Sequence, residues 1–272
     1  MDFLSFSPCS SWRRSTVGPP DEWTLQLSYS DLQNLSISAD AILEKFQTQN
    51  DIEIPLEFID TEISKLKLSS LYTKINQICQ NSILFGRGFL FVKRIPVQSW
   101  GQRKSAVSFL LFSKLLGQLR LQNKLGHVLG HVADLGLKSD DPNVRLYQTS
   151  ERQTFHTDSC DVVALLCLRP AMQGGISSIV SAAAVFEEMR RLRPDLLQRL
   201  LIPMAHDRRG EVPPGQKPFY LIPVFSLFEG HLTVMYQRQY LDSAQRFPDA
   251  PRFSAEVFIF KSNAGYNRCR DG

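Results

Sequence analysis

The stretch FHTDSCDVVALLCLRPAMQGGISSIVS, residues 155–181, decides the fold of this chain. It begins with a His-x-Asp tripeptide, His156 to Asp158, and continues into an apolar run over 162–168. A proline and a Gly-Gly pair follow, and then a second apolar run over 176–181. Short apolar runs bounded by turn residues are typical of buried strands. We therefore predict strands over 162–168 and 176–181.

The His-x-Asp tripeptide has the spacing of two metal ligands. Side chains two positions apart on a strand point to the same face, so His156 and Asp158 would stand side by side. An imidazole and a carboxylate are two of the three ligands of the two-His-one-carboxylate iron(II) site, and the third must come from another strand. A structural His–Asp pair is the alternative, because the tripeptide also arises by chance.

Several longer strings make the pattern more specific than the tripeptide alone. They are GRGF at 86–89, VRLYQT at 144–149, FHTD at 155–158, DRRGE at 207–211 and AQRFP at 244–248. Together with the order of apolar run, Pro, Gly-Gly and hydroxyl residue, they resemble the TauD/TfdA family of non-haem iron(II)/2-oxoglutarate-dependent dioxygenases. The strings look like those of its fungal members.

The resemblance implies a fold and a chemistry. The fold is α+β, a double-stranded β-helix (jelly-roll) core with flanking helices. Iron(II) would be held by His156 and Asp158, and Ser177 would hydrogen-bond the cosubstrate 2-oxoglutarate. With O2, such an enzyme hydroxylates a small organic substrate while 2-oxoglutarate is decarboxylated to succinate. This makes the chain an oxidoreductase by resemblance.

The likeness fades after about residue 251. The family has a further His, which completes the metal site, and an Arg for the cosubstrate carboxylate in a later segment, whereas His231 is the last histidine here. We therefore expect the last core strands to be missing and the activity to be impaired. The alternative function is a catalytically inactive protein of dioxygenase fold that binds a small molecule. An unrelated ligand-binding β-barrel is a third interpretation.

Other histidines and arginines offer weaker candidates. His206 is predicted in a loop and His231 at a strand start, and neither has the position of a family ligand. His127 and His131 have helical metal-pair spacing, but neighbouring glycines argue against a helix. Arg208 and Arg209 would either meet an anionic substrate or be solvated. Three polar side chains would alternate on one strand face: Tyr236, Arg238 and Tyr240.

Composition narrows the remaining function classes. The 31 basic and 27 acidic residues are scattered, and a net charge of +4 does not indicate nucleic-acid binding. No run approaches the roughly 18 apolar residues of a membrane span, and no signal peptide is evident. Five cysteines, an odd number without metal-site spacing, indicate free thiols and a cytoplasmic protein. The oligomeric state stays open.

The periodicity divides the chain into elements and segments. We predict helices over 30–46, 68–83, 102–116, 183–192 and 195–201. Besides the two strands above, we predict strands over 89–92, 220–225 and 231–236. The domain organisation is an irregular segment at 1–25, the dioxygenase-like domain at 26–255 and an unrelated tail at 256–272.

Overall fold

The fold is described by a computed structural model of the protein, in which the chain forms two compact units. The described residues are 10–45, 56–66, 69–122, 126–138 and 144–253. The first unit, here called the helical unit, takes its described residues from 7–130 and 160–177. The second, here called the ligand unit, takes them from 131–159 and from 178 onward.

The helical unit contains four α-helices and one small sheet among its described residues. The helices are α1 (Tyr29–Lys45), α2 (Leu56–Leu66), α3 (Ser70–Ile78), which continues as a π-helix (Cys79–Leu84), and α4 (Val97–Leu116). Strands β1 (Thr24–Gln26) and β2 (Phe91–Lys93) pair in parallel, and a 3-10 helix (Pro20–Trp23) precedes β1. Helix α4 is kinked at Gly101, whose φ of 72° is left-handed.

The start of α1 is fixed by two reciprocal hydrogen bonds. The Ser28 N–H donates to the Asp31 carboxylate at 2.8 Å, and the Asp31 N–H donates to the Ser28 hydroxyl at 3.2 Å. This is a capping box, in which two otherwise unsatisfied donors are paired. Lys74 of α3 forms an ion pair with the same buried carboxylate. Asp31 therefore joins α1 to α3 as well as capping α1.

One apolar core holds the helices of this unit together. The stripe of α1 packs against α2, α3 and α4, and the side chains of Leu110 and Leu111 are fully buried. The apolar positions recur every three or four residues, as expected for helices with one buried face. The buried members are Leu27, Leu35, Ala39, Ile42, Ile59, Ile63, Leu66, Leu71, Ile75, Val107, Leu110, Leu111, Phe112 and Leu115.

The ligand unit combines short helices with two hairpins. Its helices are α5 (Ala182–Leu192), α6 (Pro194–Leu200) and α7 (Arg238–Ala244), with a 3-10 helix at Leu146–Gln148. Its strands are β3 (Met204–Asp207), β4 (Phe219–Ile222), β5 (Phe225–Phe228) and β6 (His231–Val234). Strand β3 pairs with β4 and β5 with β6, both antiparallel.

Local sequence explains the helices of the ligand unit. The Ser181 hydroxyl accepts a hydrogen bond from Ala184 N–H at 3.0 Å and caps α5. Pro194 occupies the first turn of α6, where its missing N–H costs nothing. Two separate apolar clusters lie beneath these elements: one is built around Phe186 and Phe225, whose ring centroids are 5.3 Å apart, and the other around Phe219.

The two strands predicted at 162–168 and 176–181 are not formed. The structure gives these residues no regular secondary structure, and Leu165 and Ile176 are 75% and 89% exposed. A strand persists only when a neighbour pairs with its N–H and C=O groups, and neither run is paired in a sheet. The Gly-Gly turn between them does form, with φ of 73° and 66° at Gly174 and Gly175.

The remaining element predictions have mixed outcomes. The five predicted helices are confirmed within a few residues, whereas α2, α7, β1 and β3 were not predicted. The strand predicted at 220–225 is split between β4 and β5. The alternating strand face of Tyr236, Arg238 and Tyr240 is wrong, because the last two lie in α7. In the described ranges, helices accompany three two-stranded sheets, consistent with α+β, while the jelly-roll core stays a prediction.

Cys79, Cys160 and Cys167 are free thiols, as predicted for these three. Within the described ranges, none of the helices combines the length and apolar character needed to cross a bilayer. The predicted tail at 256–272 lies outside the described residues.

Candidate functional site

His156 and Asp158 converge in the ligand unit. The distance from His156 Nε2 to Asp158 Oδ1 is 3.9 Å, so the two groups face the same side as predicted. The prediction that they lie on a strand is wrong, because residues 155–158 have no regular secondary structure. About a third of the His156 side chain and half of the Asp158 side chain are exposed. The pair is therefore accessible to a ligand.

A hydrogen bond to the main chain fixes the His156 ring. Its Nδ1 lies 2.8 Å from the carbonyl oxygen of Thr154. A carbonyl can only accept, so Nδ1 must carry the proton. In the neutral ring this leaves the lone pair on Nε2, which is the atom directed at Asp158. Metal-binding histidines are held in the same way by a second partner.

The segment carrying the pair is fastened to residues 236 and 237. Thr157 N–H donates to the Tyr236 carbonyl oxygen at 2.8 Å, and Tyr236 N–H donates to the Thr157 hydroxyl oxygen at 2.8 Å. The Gln237 side-chain amide lies 3.5 Å from Asp158 Oδ1, at the long limit of a hydrogen bond. The Thr157 hydroxyl thus accepts the hydrogen bond from Tyr236 N–H that a main-chain carbonyl would accept in a sheet.

Residues 236 and 237 are themselves held between a hairpin and a helix. Met235 N–H donates to the Val224 carbonyl oxygen at 2.9 Å, just beyond the last residue of β6. Gln237 then forms the N-cap position of α7. The attachment point of the His156–Asp158 segment is therefore set by β6 on one side and by α7 on the other.

A buried carboxylate anchors α7 to β3. Asp207, the last residue of β3, is fully buried, and its carboxylate accepts a hydrogen bond from the Ser243 hydroxyl of α7. The guanidinium of Arg246 lies 3.1 Å from the same carboxylate. The main-chain N–H of Arg209 donates to it at 2.8 Å. A buried charge is tolerated when it has partners of this kind.

Charged and phenolic groups form a cluster around Tyr240 of α7. The guanidinium of Arg209 lies 5.4 Å from the centroid of the Tyr240 ring, and Arg145 is paired with Glu211. Burial raises the pKa of the Tyr240 hydroxyl, and the positive charges of Arg145 and Arg209 oppose that rise. The negative charge of Asp158 also contributes to raising the pKa of this hydroxyl.

The pair meets part of what a divalent metal requires. Adjacent ligands about 2.1 Å from an octahedral ion are roughly 3 Å apart, so small side-chain rotations would close the observed 3.9 Å. The donor set, one imidazole nitrogen and one carboxylate oxygen, suits iron(II). In the part of the chain that the structure describes, no three His, Cys, Asp or Glu side chains form a metal-binding group.

The structure describes each of the other predicted site residues in its own unit. Ser177 is exposed in the helical unit, and its contact with 2-oxoglutarate stays a prediction. His206, predicted in a loop, is instead fully buried in β3 and stacked on the Tyr220 ring at 5.3 Å. His231 begins β6 as predicted. His127 and His131 lie outside any helix, as their neighbouring glycines indicated.

Gln237 and Thr157 were missed by sequence reasoning. Thr157 stands between the two predicted ligands, where alternation along a strand would turn its side chain to the opposite face. Its partner Tyr236 is 79 positions further along the chain, and no pattern of spacing connects two such positions. The nearest sequence signal was the polar run that contains Gln237, which was interpreted as a strand face.

Comparison with known proteins identifies one matching family. The family described as "Taurine catabolism dioxygenase TauD, TfdA family" matches residues 63–258, more than half of the chain. FR-33289 synthase of Streptomyces rubellomurinus (strain ATCC 31215) is 27% identical over 239 residues, which cover 86% of this chain and 67% of that protein.

Two further relatives match shorter stretches. Taurine hydroxylase-like protein SAT17 of Stachybotrys chartarum (strain CBS 109288 / IBT 7711) is 24% identical over 197 residues, covering 70% of this chain and 49% of that protein. Uridine-5'-phosphate dioxygenase of a Streptomyces species is 32% identical over 143 residues, covering 44% of this chain and 51% of that protein. The chain thus spans about two thirds of the first relative and about half of the other two.

Proposed function

Because the chain belongs to the TauD/TfdA family, we propose that it is a non-haem iron(II)- and 2-oxoglutarate-dependent dioxygenase of a small organic substrate. His156 and Asp158 are two of its metal ligands in this proposal. The observation that carries it is the convergence of His156 Nε2 and Asp158 Oδ1 at 3.9 Å, on a ring whose other nitrogen is tied to the main chain. Two relatives with dioxygenase or hydroxylase in their names support the same class.

The proposal extends to the fold and to the cosubstrate. We infer a jelly-roll core within a dioxygenase domain over 26–255, to which the antiparallel hairpins β3–β4 and β5–β6 belong. We also assign Ser177 a hydrogen bond to 2-oxoglutarate, because a hydroxyl residue follows the Gly-Gly turn in the family. The positive φ values of Gly174 and Gly175 support that turn.

The residues of this chain would bind and orient. Bound iron(II) supplies oxygen activation, coupled to decarboxylation of 2-oxoglutarate to succinate. His156 offers Nε2 because the Thr154 carbonyl retains the proton on Nδ1. Asp158 supplies a negative charge that offsets the charge of the metal. Both side chains are partly exposed, so a cosubstrate could reach a metal held between them.

An anionic group on the substrate is favoured by one further observation. The Arg209 Nε is buried and has no hydrogen-bond partner among the described residues. Such a donor is costly unless a ligand pairs with it, and guanidinium groups bind carboxylate, sulfonate and phosphate oxygens well. We therefore propose that Arg209 receives an anionic group. The name of one relative, uridine-5'-phosphate dioxygenase, specifies such a substrate.

The second candidate is an inactive protein of the same family that binds small molecules. The inactive candidate is favoured by the number of ligands. Within the described ranges, no third His, Cys, Asp or Glu joins His156 and Asp158 in a metal-binding group. The two candidates share metal binding and differ in turnover. Binding of Fe(II) and 2-oxoglutarate by folded protein, without formation of succinate, would identify the inactive one.

The test is succinate formation from 2-oxoglutarate in the presence of Fe(II) and O2. The wild-type protein is expected to form succinate slowly even without its substrate. The His156→Ala variant should lose the rate by more than about a hundredfold, since even the partners of metal ligands contribute 10–100-fold. His231→Ala, which removes an exposed histidine of the same unit, is the control and should keep the rate. No succinate from folded, metal-loaded wild type would refute the enzyme proposal.

A further inference from the structure

We propose that Thr157 is a positioning residue whose hydroxyl sets the spacing of the two metal ligands on either side of it. The inference rests on the proposed metal site. It concerns what holds His156 and Asp158 in place rather than which groups bind the ion. The observation behind it is the reciprocal pair of 2.8 Å hydrogen bonds between Thr157 and Tyr236.

The ligand segment lacks the support that a sheet normally gives. Residues 155–158 belong to no strand. A sheet would restrain each ligand through main-chain bonds on neighbouring positions. In the structure, as far as it is described, the segment is tied to a distant element through Thr157 and through the long contact of Gln237 with Asp158. The middle residue is therefore the main fastening of the pair.

The two bonds at Thr157 act together as a clamp. The main-chain N–H donates to the Tyr236 carbonyl, and the hydroxyl accepts from the Tyr236 N–H. One bond alone would leave the segment able to rotate about it. Two bonds to the same residue fix the orientation of the Thr157 backbone, and with it the directions in which residues 156 and 158 project.

The same clamp satisfies a polar group of its partner. The bond between Tyr236 N–H and the Thr157 hydroxyl is partly buried. Without the hydroxyl, that N–H would lose its acceptor at a cost greater than that of an exposed bond. The segment would shift so that water could reach the N–H. Because the ligand spacing must tighten from 3.9 Å when a metal binds, such a shift acts directly on metal affinity.

The experiment compares Thr157→Val with Thr157→Ser in a cobalt(II) titration, with Co²⁺ as the probe for the iron site. Valine has the shape of threonine without the hydroxyl, and serine keeps the hydroxyl. We expect Thr157→Val to weaken Co²⁺ binding by about tenfold or more, and Thr157→Ser to stay within about threefold of wild type, since partners of metal ligands contribute 10–100-fold. The visible absorption of bound Co²⁺ should change in Thr157→Val alone.

The matched control is Thr149→Val. The hydroxyl of Thr149 also accepts a main-chain N–H, that of Glu151 at 3.2 Å, within the same unit. The same hydroxyl donates to the Leu146 carbonyl at 2.9 Å in a partly buried bond. This variant should lose both bonds and keep the Co²⁺ affinity. Thermal unfolding of all variants without metal separates loss of stability from loss of positioning. Should Thr157→Val fail to fold, Thr157→Ala replaces it.

The outcomes separate this inference from the proposed function. If wild type binds no Co²⁺, or if His156→Ala binds it equally well, the proposed metal site is wrong and the inference falls with it. If His156→Ala abolishes binding while Thr157→Val, or its alanine replacement, binds as tightly as Thr157→Ser, the metal site stands and the positioning role is overturned.

Discussion

The helical unit and the ligand unit each bury a carboxylate, but they use it differently. In the helical unit, Asp31 caps α1 and pairs with Lys74, beside a continuous apolar core. In the ligand unit, Asp207 joins β3 to α7, where the apolar side chains form two smaller clusters. The first carboxylate supplements a core, whereas the second connects elements that have less apolar contact of their own.

The comparison shows where function depends on polar connections. A series of polar contacts begins at Asp207 and passes through α7 to Gln237 and Tyr236. It ends at the segment that carries His156 and Asp158. Apolar packing tolerates small changes in direction, while hydrogen bonds fix direction. We therefore expect mutations in the apolar core of the helical unit to change stability alone, and mutations along this series of polar contacts to change metal affinity as well.

The largest expected effect lies in the core of the helical unit. Leu110→Ala removes a fully buried side chain and leaves a cavity, which should lower the free energy of unfolding by about 2–5 kcal/mol. Urea unfolding followed by circular dichroism measures the loss. Co²⁺ affinity of the folded variant should be unchanged. A Co²⁺ affinity that decreases together with stability would contradict the expectation that this core affects stability alone.

Metal binding should stabilise the ligand unit selectively. At a Co²⁺ concentration a hundred times the Kd, linkage contributes about 2.7 kcal/mol to the state that binds. Hydrogen exchange should therefore slow in peptides that contain β5, β6 and α7. Peptides of α1 and α4 should show a smaller change. Equal protection in all these peptides would indicate that the two units respond as one.

Removing the charge of Asp207 should cost stability and metal affinity together. Asp207→Asn loses its ion pair with Arg246 and weakens the bond from Ser243, at about 2 kcal/mol. The control is Asp242→Asn on the same helix, an exposed pair with Arg238 worth less than about 1 kcal/mol. Unfolding and Co²⁺ titration of both variants give the comparison. An unchanged Co²⁺ affinity in Asp207→Asn would show that the anchoring of α7 does not influence metal binding.

The smallest expected effect is a pH dependence from Asp31. Burial acts to raise the pKa of this carboxyl, but Lys74 and Ser28 together hold it below its ordinary value. Its stabilisation is then present above the unfolded-state pKa of about 3.9 and is lost as the pH falls through the lower folded-state value. The stability gap between wild type and Asp31→Asn should shrink below about pH 4. A gap that widens there would contradict the assigned direction.

Sequence reasoning succeeded where information is local. The apolar spacing of Leu35, Ala39 and Ile42 suffices to predict α1, because one buried stripe defines a helix. The two-residue spacing of His156 and Asp158 predicted their convergence, which holds although the segment is not a strand. In both cases the side-chain directions follow from neighbouring backbone geometry.

Sequence reasoning failed where a partner distant in the sequence decides which structure a segment adopts. The apolar run at 162–168 has strand composition, but a strand forms only against a neighbour. His206 was predicted in a loop, but it lies in β3. The strand depends on pairing with β4, which joins residues more than ten positions apart. The clamp between Thr157 and Tyr236 spans 79 positions. No local pattern encodes such contacts.

The most direct test of the metal site is anomalous diffraction from crystals grown with Mn²⁺ in place of iron. The account predicts an anomalous peak within about 2.0–2.3 Å of both His156 Nε2 and Asp158 Oδ1. It also predicts that the peak disappears in the Asp158→Ala variant. A Mn²⁺ peak bound elsewhere on the wild-type protein, with none between these two atoms, would contradict the account.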